Sequence, residues 1–223
     1  MTIARRILGI DEAGRGCVIG PMVICGVLLD APQIPVLAAD GVKDSKALSP
    51  ARREQLALRI REVAGGVFLE EIHPAEIEER NLNLLEIWRM ARIISRANPA
   101  SVYLDAPVGT QKGIKAFCDY IKWCLRGNCP RMIAENRADQ KYIVVGAASI
   151  VAKVRRDSII EQLKEQFGDF GSGYPSDEKT TKFLQNCYEK DGCFPDCVRR
   201  RWKTVKRFTE PVQEILDFGN VGL

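Results

Sequence analysis

Acidic residues stand at three places where an apolar stretch of the sequence meets polar residues. Asp11 and Glu12 follow one such stretch, Asp105 follows a second, and Asp139 precedes a third. Buried strands rarely end in acids unless the charges are paired or bind a cation, and carboxylate oxygens suit Mg²⁺ or Mn²⁺. Taken singly, each acid could instead cap a helix or form a surface ion pair. Together they indicate a site where two cations could activate a water and stabilise the leaving oxygen of a phosphodiester.

The counts of histidine and cysteine exclude several other kinds of site. The sequence has one histidine, His73, so catalysis that needs two imidazole groups is excluded. None of the eight cysteines forms a pair with the C-x2-C spacing of zinc ribbons. We therefore expect mostly reduced thiols and hard oxygen ligands rather than a zinc centre.

The segment after the first two acids is suited to binding an anionic ligand. Gly14 and Gly16 flank Arg15, and glycines let the backbone approach a ligand and present N–H groups to it. The alternative is a tight turn with a surface arginine. The pattern is neither a Walker loop nor a dinucleotide fingerprint. Lys43 and Lys46 form a second candidate for phosphate contacts.

Basic residues are concentrated in one short segment. The chain has 33 Lys and Arg against 29 Asp and Glu, a net charge of only +4, but residues 199–207 include six basic residues and no acidic one. Such a strip can hold the phosphates of a duplex without reading its sequence. A solvated cationic helix face is the alternative.

Strands and helices alternate along most of the chain, which predicts an α/β fold. Hydrophobic patterning predicts strands over 5–10, 22–30, 67–72, 101–104, 131–135 and 142–147. It predicts helices over 50–64, 82–97, 113–125 and 149–167, and only helices beyond, one of them capped by Asp177. We expect a catalytic domain over 1–167 and a helical region over 168–223 that completes the substrate-binding surface.

Length and composition are those of a globular protein. The chain has 223 residues, of which 46% are hydrophobic. Its longest charge-free run, 16–29, is shorter than the ~20 apolar residues of a membrane span and is interrupted by Gly and Pro. The first residues lack the apolar core of a signal peptide. We expect a soluble, cytoplasmic monomer that does not act on membranes.

Six short blocks, in a fixed order, resemble type 2 ribonuclease H (ribonuclease HII), and most of all its archaeal branch. They cover residues 11–16 (DEAGRG), 43–46 (KDSK), 104–106 (LDA), 137–142 (RADQKY), 147–157 (AASIVAKVRRD) and 171–177 (GSGYPSD). The resemblance extends from residue 7 to residue 207. It implies a ribonuclease H-like fold, in which helices flank a central mixed five-stranded sheet, with a small helical C-terminal part.

The resemblance also implies an activity in DNA replication and repair. The enzyme would hydrolyse the RNA strand of RNA–DNA hybrids with Mg²⁺ or Mn²⁺. It would incise duplex DNA on the 5′ side of a single embedded ribonucleotide and leave 3′-hydroxyl and 5′-phosphate ends. The 2′-hydroxyl is the group that distinguishes RNA from DNA at a given position.

Carried over by position, the resemblance assigns roles to particular residues. The catalytic metal ligands would be Asp11, Glu12, Asp105 and Asp139. The residues that contact the ribose or its phosphates would be Gly14, Arg15, Gly16, Lys46 and Tyr174, with Lys153 as a further candidate. Cys17 departs from the family, which often has proline there.

The C-terminal tail has two interpretations, one of which implies a protein partner. Residues 213–218 (QEILDF) partly resemble the sliding-clamp-binding peptide of replication proteins, but the expected aromatic pair is replaced by Gly219 and Asn220. A clamp contact and a frayed terminal helix are the two interpretations. Two alternatives to a self-sufficient enzyme also stay open: a catalytic subunit of a heteromeric type 2 ribonuclease H, and a catalytically silent hybrid-binding module.

Overall fold

A mixed five-stranded sheet lies at the centre of the protein, in a computed structural model that describes residues 6–42, 48–127 and 129–209. In sheet order β3-β2-β1-β4-β5, the central strand β1 is antiparallel to β2 and parallel to β4, which is in turn parallel to β5. The strands are β1 (Ile7–Ala13), β2 (Met22–Leu29), β3 (Gly66–Ile72), β4 (Ser101–Asp105) and β5 (Arg131–Glu135). The predicted five-stranded α/β architecture is confirmed.

Helices cover both faces of the sheet. They are α1 (Gln33–Ala39), α2 (Pro50–Val63), α3 (Pro74–Glu79), α4 (Leu82–Ala97), α5 (Gln111–Leu125), α6 (Ala138–Lys141), α7 (Ile143–Phe167), α8 (Glu178–Asp191) and α9 (Lys203–Thr209). Since successive strand residues point to opposite faces, Ile24 of β2 packs with α4 and α5, whereas Cys25 packs with α1, α2 and α7. Within 6–42, 48–127 and 129–209, no helix has the length and apolar composition of a membrane span.

A third apolar cluster joins the C-terminal helices to the rest of the protein. Val18 and Ile19, which precede β2, pack with Phe170, Leu184 of α8 and Val205 of α9. Helix α8 begins where predicted, because the Asp177 side chain accepts a hydrogen bond from the Lys179 N–H at 3.0 Å. The division of the chain at residue 168 stays a prediction.

The strand predicted over 142–147 is wrong, because helix α7 begins at Ile143. Residues 144–152 of α7 are all buried, so this part of the helix has no polar outer face. A helix that is buried on all sides shows no alternation of apolar and polar residues at the helical period. In the sequence, its short apolar run of branched residues therefore looks the same as a buried strand. Helices α1, α3 and the four-residue α6 were not predicted.

Helix α7 lies very close to the central strand because Gly9 has no side chain. A Cβ atom at Gly9 would overlap the Val144 carbonyl group and lie 2.6 Å from the Val145 nitrogen. Both are backbone atoms of the helix, so no side-chain rotation could relieve the overlap. This approach sets the position of α7 relative to β1.

We expect Gly9→Ala to lower the free energy of unfolding by ~1–3 kcal/mol or more, because the added methyl group forces α7 away from β1. Urea denaturation would measure the change. Gly109→Ala is the matched control, since a Cβ there meets nothing within 4 Å. Equal effects of the two substitutions would contradict this account of the α7–β1 contact.

Candidate active site

Neighbouring parallel strands place the first acids of the site side by side. Ile10 of β1 pairs with Leu104 of β4, so the next residues, Asp11 and Asp105, lie at the same level of the sheet. Because paired residues of parallel strands point to the same face, both carboxylates point toward the α7 side. Glu12 follows Asp11 within β1. The sheet therefore brings three of the predicted acids to one edge.

Asp139 reaches the same place from a helix rather than from the end of a strand. It lies on α6, between β5 and α7, and its side chain is almost fully buried. The expectation that it precedes a strand is thus wrong, although the residue itself joins the other acids. The N–H of Ala138 donates to Oδ1 of Asp105 at 3.1 Å and so ties α6 to β4.

Eight of the nine predicted site residues line one open pocket of about 450 Å³. They are Asp11, Glu12, Gly14, Arg15, Gly16, Asp105, Asp139 and Tyr174. The ninth, Lys46, lies outside the described residues, as does Lys43. Lys153, the further candidate, also lines the pocket.

Burial makes the first two acids hard to ionise. It raises the pKa of Asp11 to about 6, against the opposing effects of a hydrogen bond with Ser149 and the charge of Lys153. It raises the pKa of Glu12 to about 8, and the charge of Asp11 adds to that effect. A bound cation would favour the charged form of both groups.

A buried carboxylate oxygen of Glu12 lacks a hydrogen bond. Oε2 of Glu12 is buried and accepts none from the described residues, an arrangement that carries a free-energy cost unless a ligand satisfies it. Hard oxygen donors and an unsatisfied oxygen fit a divalent cation. In the described part of the chain, however, no three acidic, histidine or cysteine side chains are already grouped around one point.

Besides the predicted Lys153, helix α7 supplies three polar or charged residues to the site that were not predicted: Ser149, Arg156 and Asp157. The Lys153 ammonium group donates to Oγ of Ser149, whose hydroxyl in turn bonds Asp11. Arg156 and Asp157, three and four residues beyond Lys153, line the same pocket. Residues spaced by three and four positions lie on one helix face, so the sequence could have placed both beside Lys153.

A second missed cation comes from helix α2. Arg53 lines the pocket and forms an ion pair with Asp157 of α7 at 3.5 Å. Its guanidinium also donates to the Leu48 carbonyl group at 2.8 Å. The pocket therefore combines a carboxylate cluster with several fixed cations, an arrangement suited to a phosphate next to a metal ion.

The loop that carries Tyr174 forms part of the pocket wall, and its conformation depends on two glycines. Gly171 and Gly173 have φ angles of 75° and 77°, and Gly173 accepts hydrogen bonds from the N–H groups of Val18 and Ile19. The Arg156 guanidinium lies 5.0 Å from the centroid of the Tyr174 ring. Tyr174 keeps 37% of its surface exposed.

Cys17 joins Tyr174 to the rest of the site. Its Sγ accepts a hydrogen bond from Arg156 at 3.0 Å, and its thiol also bonds the Tyr174 hydroxyl. Burial, reinforced by Cys17, raises the pKa of Tyr174 to about 12, so its hydroxyl stays protonated at neutral pH. Cys17 thus contacts two residues that line the pocket, Arg156 and Tyr174.

The side chain of Arg15 contacts α4, and its charge also acts on Glu12. It pairs with the buried Glu86 and donates to Oδ1 of Asn83 at 2.6 Å. The conformation of the loop depends on Gly14, whose φ of 81° favours glycine.

The basic strip over 199–207 is not a uniform phosphate-binding surface. Arg199 is fully buried, which contradicts the expectation that the whole segment lies along a duplex. The other basic residues of the strip, Arg200, Arg201, Lys203, Lys206 and Arg207, are exposed. A run of three arginines gives no sign of which one is buried.

Comparison with known proteins identifies a family. Residues 8–205 match the family model described as ribonuclease HII. A ribonuclease HII of Thermococcus sibiricus is 45% identical over 210 residues, which cover 92% of each chain.

Two solved structures have the same fold. The ribonuclease H2 of Pyrococcus horikoshii superposes with a TM-score of 0.83 at 41% identity, over 92% of this chain and all of that one. The ribonuclease HII of Archaeoglobus fulgidus, solved in complex with PCNA, superposes with a TM-score of 0.77 at 41% identity. That match covers 88% of this chain and 95% of the other.

We expect Glu12→Gln to stabilise the protein increasingly as pH rises, when a chelator is present. The folded state raises the pKa of Glu12 from 4.5 to about 8, so its favourable contribution is complete below pH 4 and is lost as pH rises through 8. By pH 9 the gain of the variant should be on the order of a few kcal/mol.

Urea denaturation at a series of pH values from 4 to 9 would measure this difference. Glu165→Gln, which changes an exposed acid of the same net charge on α7, is the control. Parallel pH profiles for Glu12→Gln and the unchanged protein would show that Glu12 ionises normally.

Proposed function

We propose that this chain, which belongs to the ribonuclease HII family, incises duplex DNA on the 5′ side of single ribonucleotides. As a member of that family, it is a ribonuclease H that hydrolyses the RNA of RNA–DNA hybrids. We assign the reaction to a two-metal-ion mechanism that leaves 3′-hydroxyl and 5′-phosphate ends. The observation that carries the proposal is one pocket lined by the four predicted carboxylates, the Gly14–Gly16 loop and Tyr174.

Asp11, Glu12, Asp105 and Asp139 would hold Mg²⁺ or Mn²⁺. When bound, two such ions supply an activated water and stabilise the charge on the leaving oxygen. The role of the chain is to hold the four carboxylates in place. Ser149 fixes Asp11 through a hydrogen bond, and the N–H of Ala138 fixes Asp105.

The fixed cations of the pocket would bind the backbone of the substrate. Arg53, Lys153 and Arg156 lie around the carboxylates, each on a helix that packs within the fold. Arginine and lysine contacts to phosphate fix the register of a duplex without reading its bases. Activity should then be independent of base sequence.

The Gly14–Gly16 loop and Tyr174 would recognise the ribonucleotide. A 2′-hydroxyl both donates and accepts hydrogen bonds, so backbone N–H groups and a tyrosine side chain are suitable sensors. The half-exposed ring of Tyr174, held by Arg156 and Cys17, offers a flat surface for a sugar at the RNA–DNA junction.

A contact with a sliding clamp is supported by one archaeal relative. The similar protein of Archaeoglobus fulgidus was solved in complex with PCNA. We propose that this chain binds a clamp through its tail, whose residues 213–218 lie outside the described residues. Such a contact would carry a cytoplasmic repair enzyme to newly replicated DNA.

We expect Asp105→Asn to bind a hybrid normally and to cleave it more slowly by orders of magnitude. The substitution removes the charge of a metal ligand but keeps the oxygen that accepts from Ala138, so the fold should be unchanged. Single-turnover cleavage in Mg²⁺, with hybrid affinity measured separately, would test this.

Asp157→Asn is the matched control, because it changes an acid of the same pocket that pairs with Arg53 and Arg156 rather than serving as a proposed ligand. Its effect on the cleavage rate should be much smaller. Normal turnover of Asp105→Asn would refute the metal-ligand assignment. Cleavage by the purified single chain would also reject the silent-module and missing-subunit alternatives.

We expect Tyr174→Ala to slow incision at a lone ribonucleotide more than cleavage of a continuous hybrid, because a hybrid offers many equivalent 2′-hydroxyl groups. Gel mapping of labelled duplexes would give both rates and the position of the cut. Tyr120→Ala, at an exposed position of α5, is the control. Equal losses on both substrates would remove the sensing role of Tyr174.

A further inference from the structure

We propose that Arg199 is a positioning residue for the Gly14–Gly16 loop: by holding the carbonyl groups of Gly14 and Arg15, it directs the N–H groups of Arg15 and Gly16 into the pocket. There they would meet the 2′-hydroxyl or the adjacent phosphate of the substrate. The inference rests on the proposed function, and it adds a residue far from the acids in the sequence.

The side chain of Arg199 is fully buried and binds three carbonyl oxygens of one loop. Its Nη2 donates to the Gly14 carbonyl group at 2.8 Å, its Nη1 to that of Arg15 at 3.0 Å, and its Nε to that of Gly20 at 2.9 Å. The ring of Trp202 packs 4.9 Å from the guanidinium. All three types of guanidinium nitrogen are thus used on the loop.

The backbone around Arg199 is joined to the same loop. The Arg199 N–H donates to the Val18 carbonyl group at 2.8 Å, and the Gly20 N–H donates to Cys197 at 2.8 Å. Ile19 and Val198 form an antiparallel bridge between these two hydrogen bonds. The guanidinium is therefore held against the loop by its own main chain.

The geometry of a trans peptide links these contacts to the pocket. In a planar trans unit the C=O and N–H groups point in opposite directions, and the structure has no cis peptide bond among the described residues. When Arg199 holds the Gly14 and Arg15 carbonyl groups, the N–H groups of Arg15 and Gly16 must point away from it. Both residues line the pocket, and neither N–H donates to another described residue.

Arginine is suited to this role because its planar group offers five donors and remains charged. Burial lowers the pKa of Arg199 to about 10, so the cation persists at neutral pH. Within residues 6–42, 48–127 and 129–209, no carboxylate forms an ion pair with it. A cation behind the two peptide groups polarises them, which makes their N–H groups better donors to an anionic ligand.

The test compares affinities for two duplexes in the Asp105→Asn protein, which we expect not to cut them. One duplex contains a single ribonucleotide, and the other has the same sequence in DNA alone. The parent should prefer the first duplex. Arg199→Met should reduce that preference by about tenfold, as expected for the loss of two oriented hydrogen bonds.

Arg200→Met is the matched control. Arg200 is exposed and donates only to the Phe194 carbonyl group and Asp196. Its loss should weaken binding to both duplexes alike and leave their ratio unchanged. Arg199→Lys keeps the charge but cannot reach three carbonyl groups, so it should recover only part of the preference. Full recovery by Arg199→Lys would overturn the positioning role.

The outcomes separate this inference from the proposed function. A parent that binds both duplexes equally would refute ribonucleotide recognition and the inference with it. A parent that discriminates, together with an Arg199→Met variant that discriminates equally well, would overturn the inference alone.

A second measurement needs no change at Arg199. In the Asp105→Asn protein, amide exchange followed by NMR should be slow for Val18, Ile19 and Gly20 and fast for Arg15 and Gly16. The last two should become protected when the ribonucleotide-containing duplex is added. Slow exchange of Arg15 and Gly16 in the free protein would contradict the proposed orientation.

Discussion

Repulsion among carboxylates in a partly buried pocket is the interaction on which the site depends. Asp11 and Glu12 adjoin each other in β1, and Asp105 lies beside them on β4. The burial and mutual repulsion that raise the pKa values of Asp11 and Glu12 also prepare a strong binding place for a cation. The hydrogen-bonded strands of the sheet resist the movement that would separate these charges. The fold therefore keeps the carboxylates together despite the free-energy cost of their burial and repulsion.

Helix α7 is the element that connects the chemistry to the fold. Gly9 lets it approach β1, and this approach puts Ser149 beside Asp11. One turn on, Lys153 faces the same acid, and Arg156 reaches the Tyr174 loop. A single rigid helix thus fixes the distance between the acids that would cleave a phosphodiester and the tyrosine that would sense the sugar.

Much of the site could be predicted from the sequence, because acids next to apolar stretches and glycines around an arginine are local patterns. Helix α4 was predicted with its observed bounds, since its apolar stripe has a clear period. The beginning of α7 was mistaken for a strand because tertiary burial removes that period. Arg199 and Arg200 look alike in the sequence, and only the three-dimensional packing buries Arg199 against the Gly14–Gly16 loop.

The contact between Arg199 and Arg15 spans 184 residues of sequence. Contacts of such separation close a long loop, which carries a large entropic cost. During synthesis the Gly14–Gly16 segment leaves the ribosome early, yet its partners at 197–199 follow only after both flanking layers of helices have been made. A partly synthesised chain therefore carries the acids before it has the residues that hold the Gly14–Gly16 loop in place.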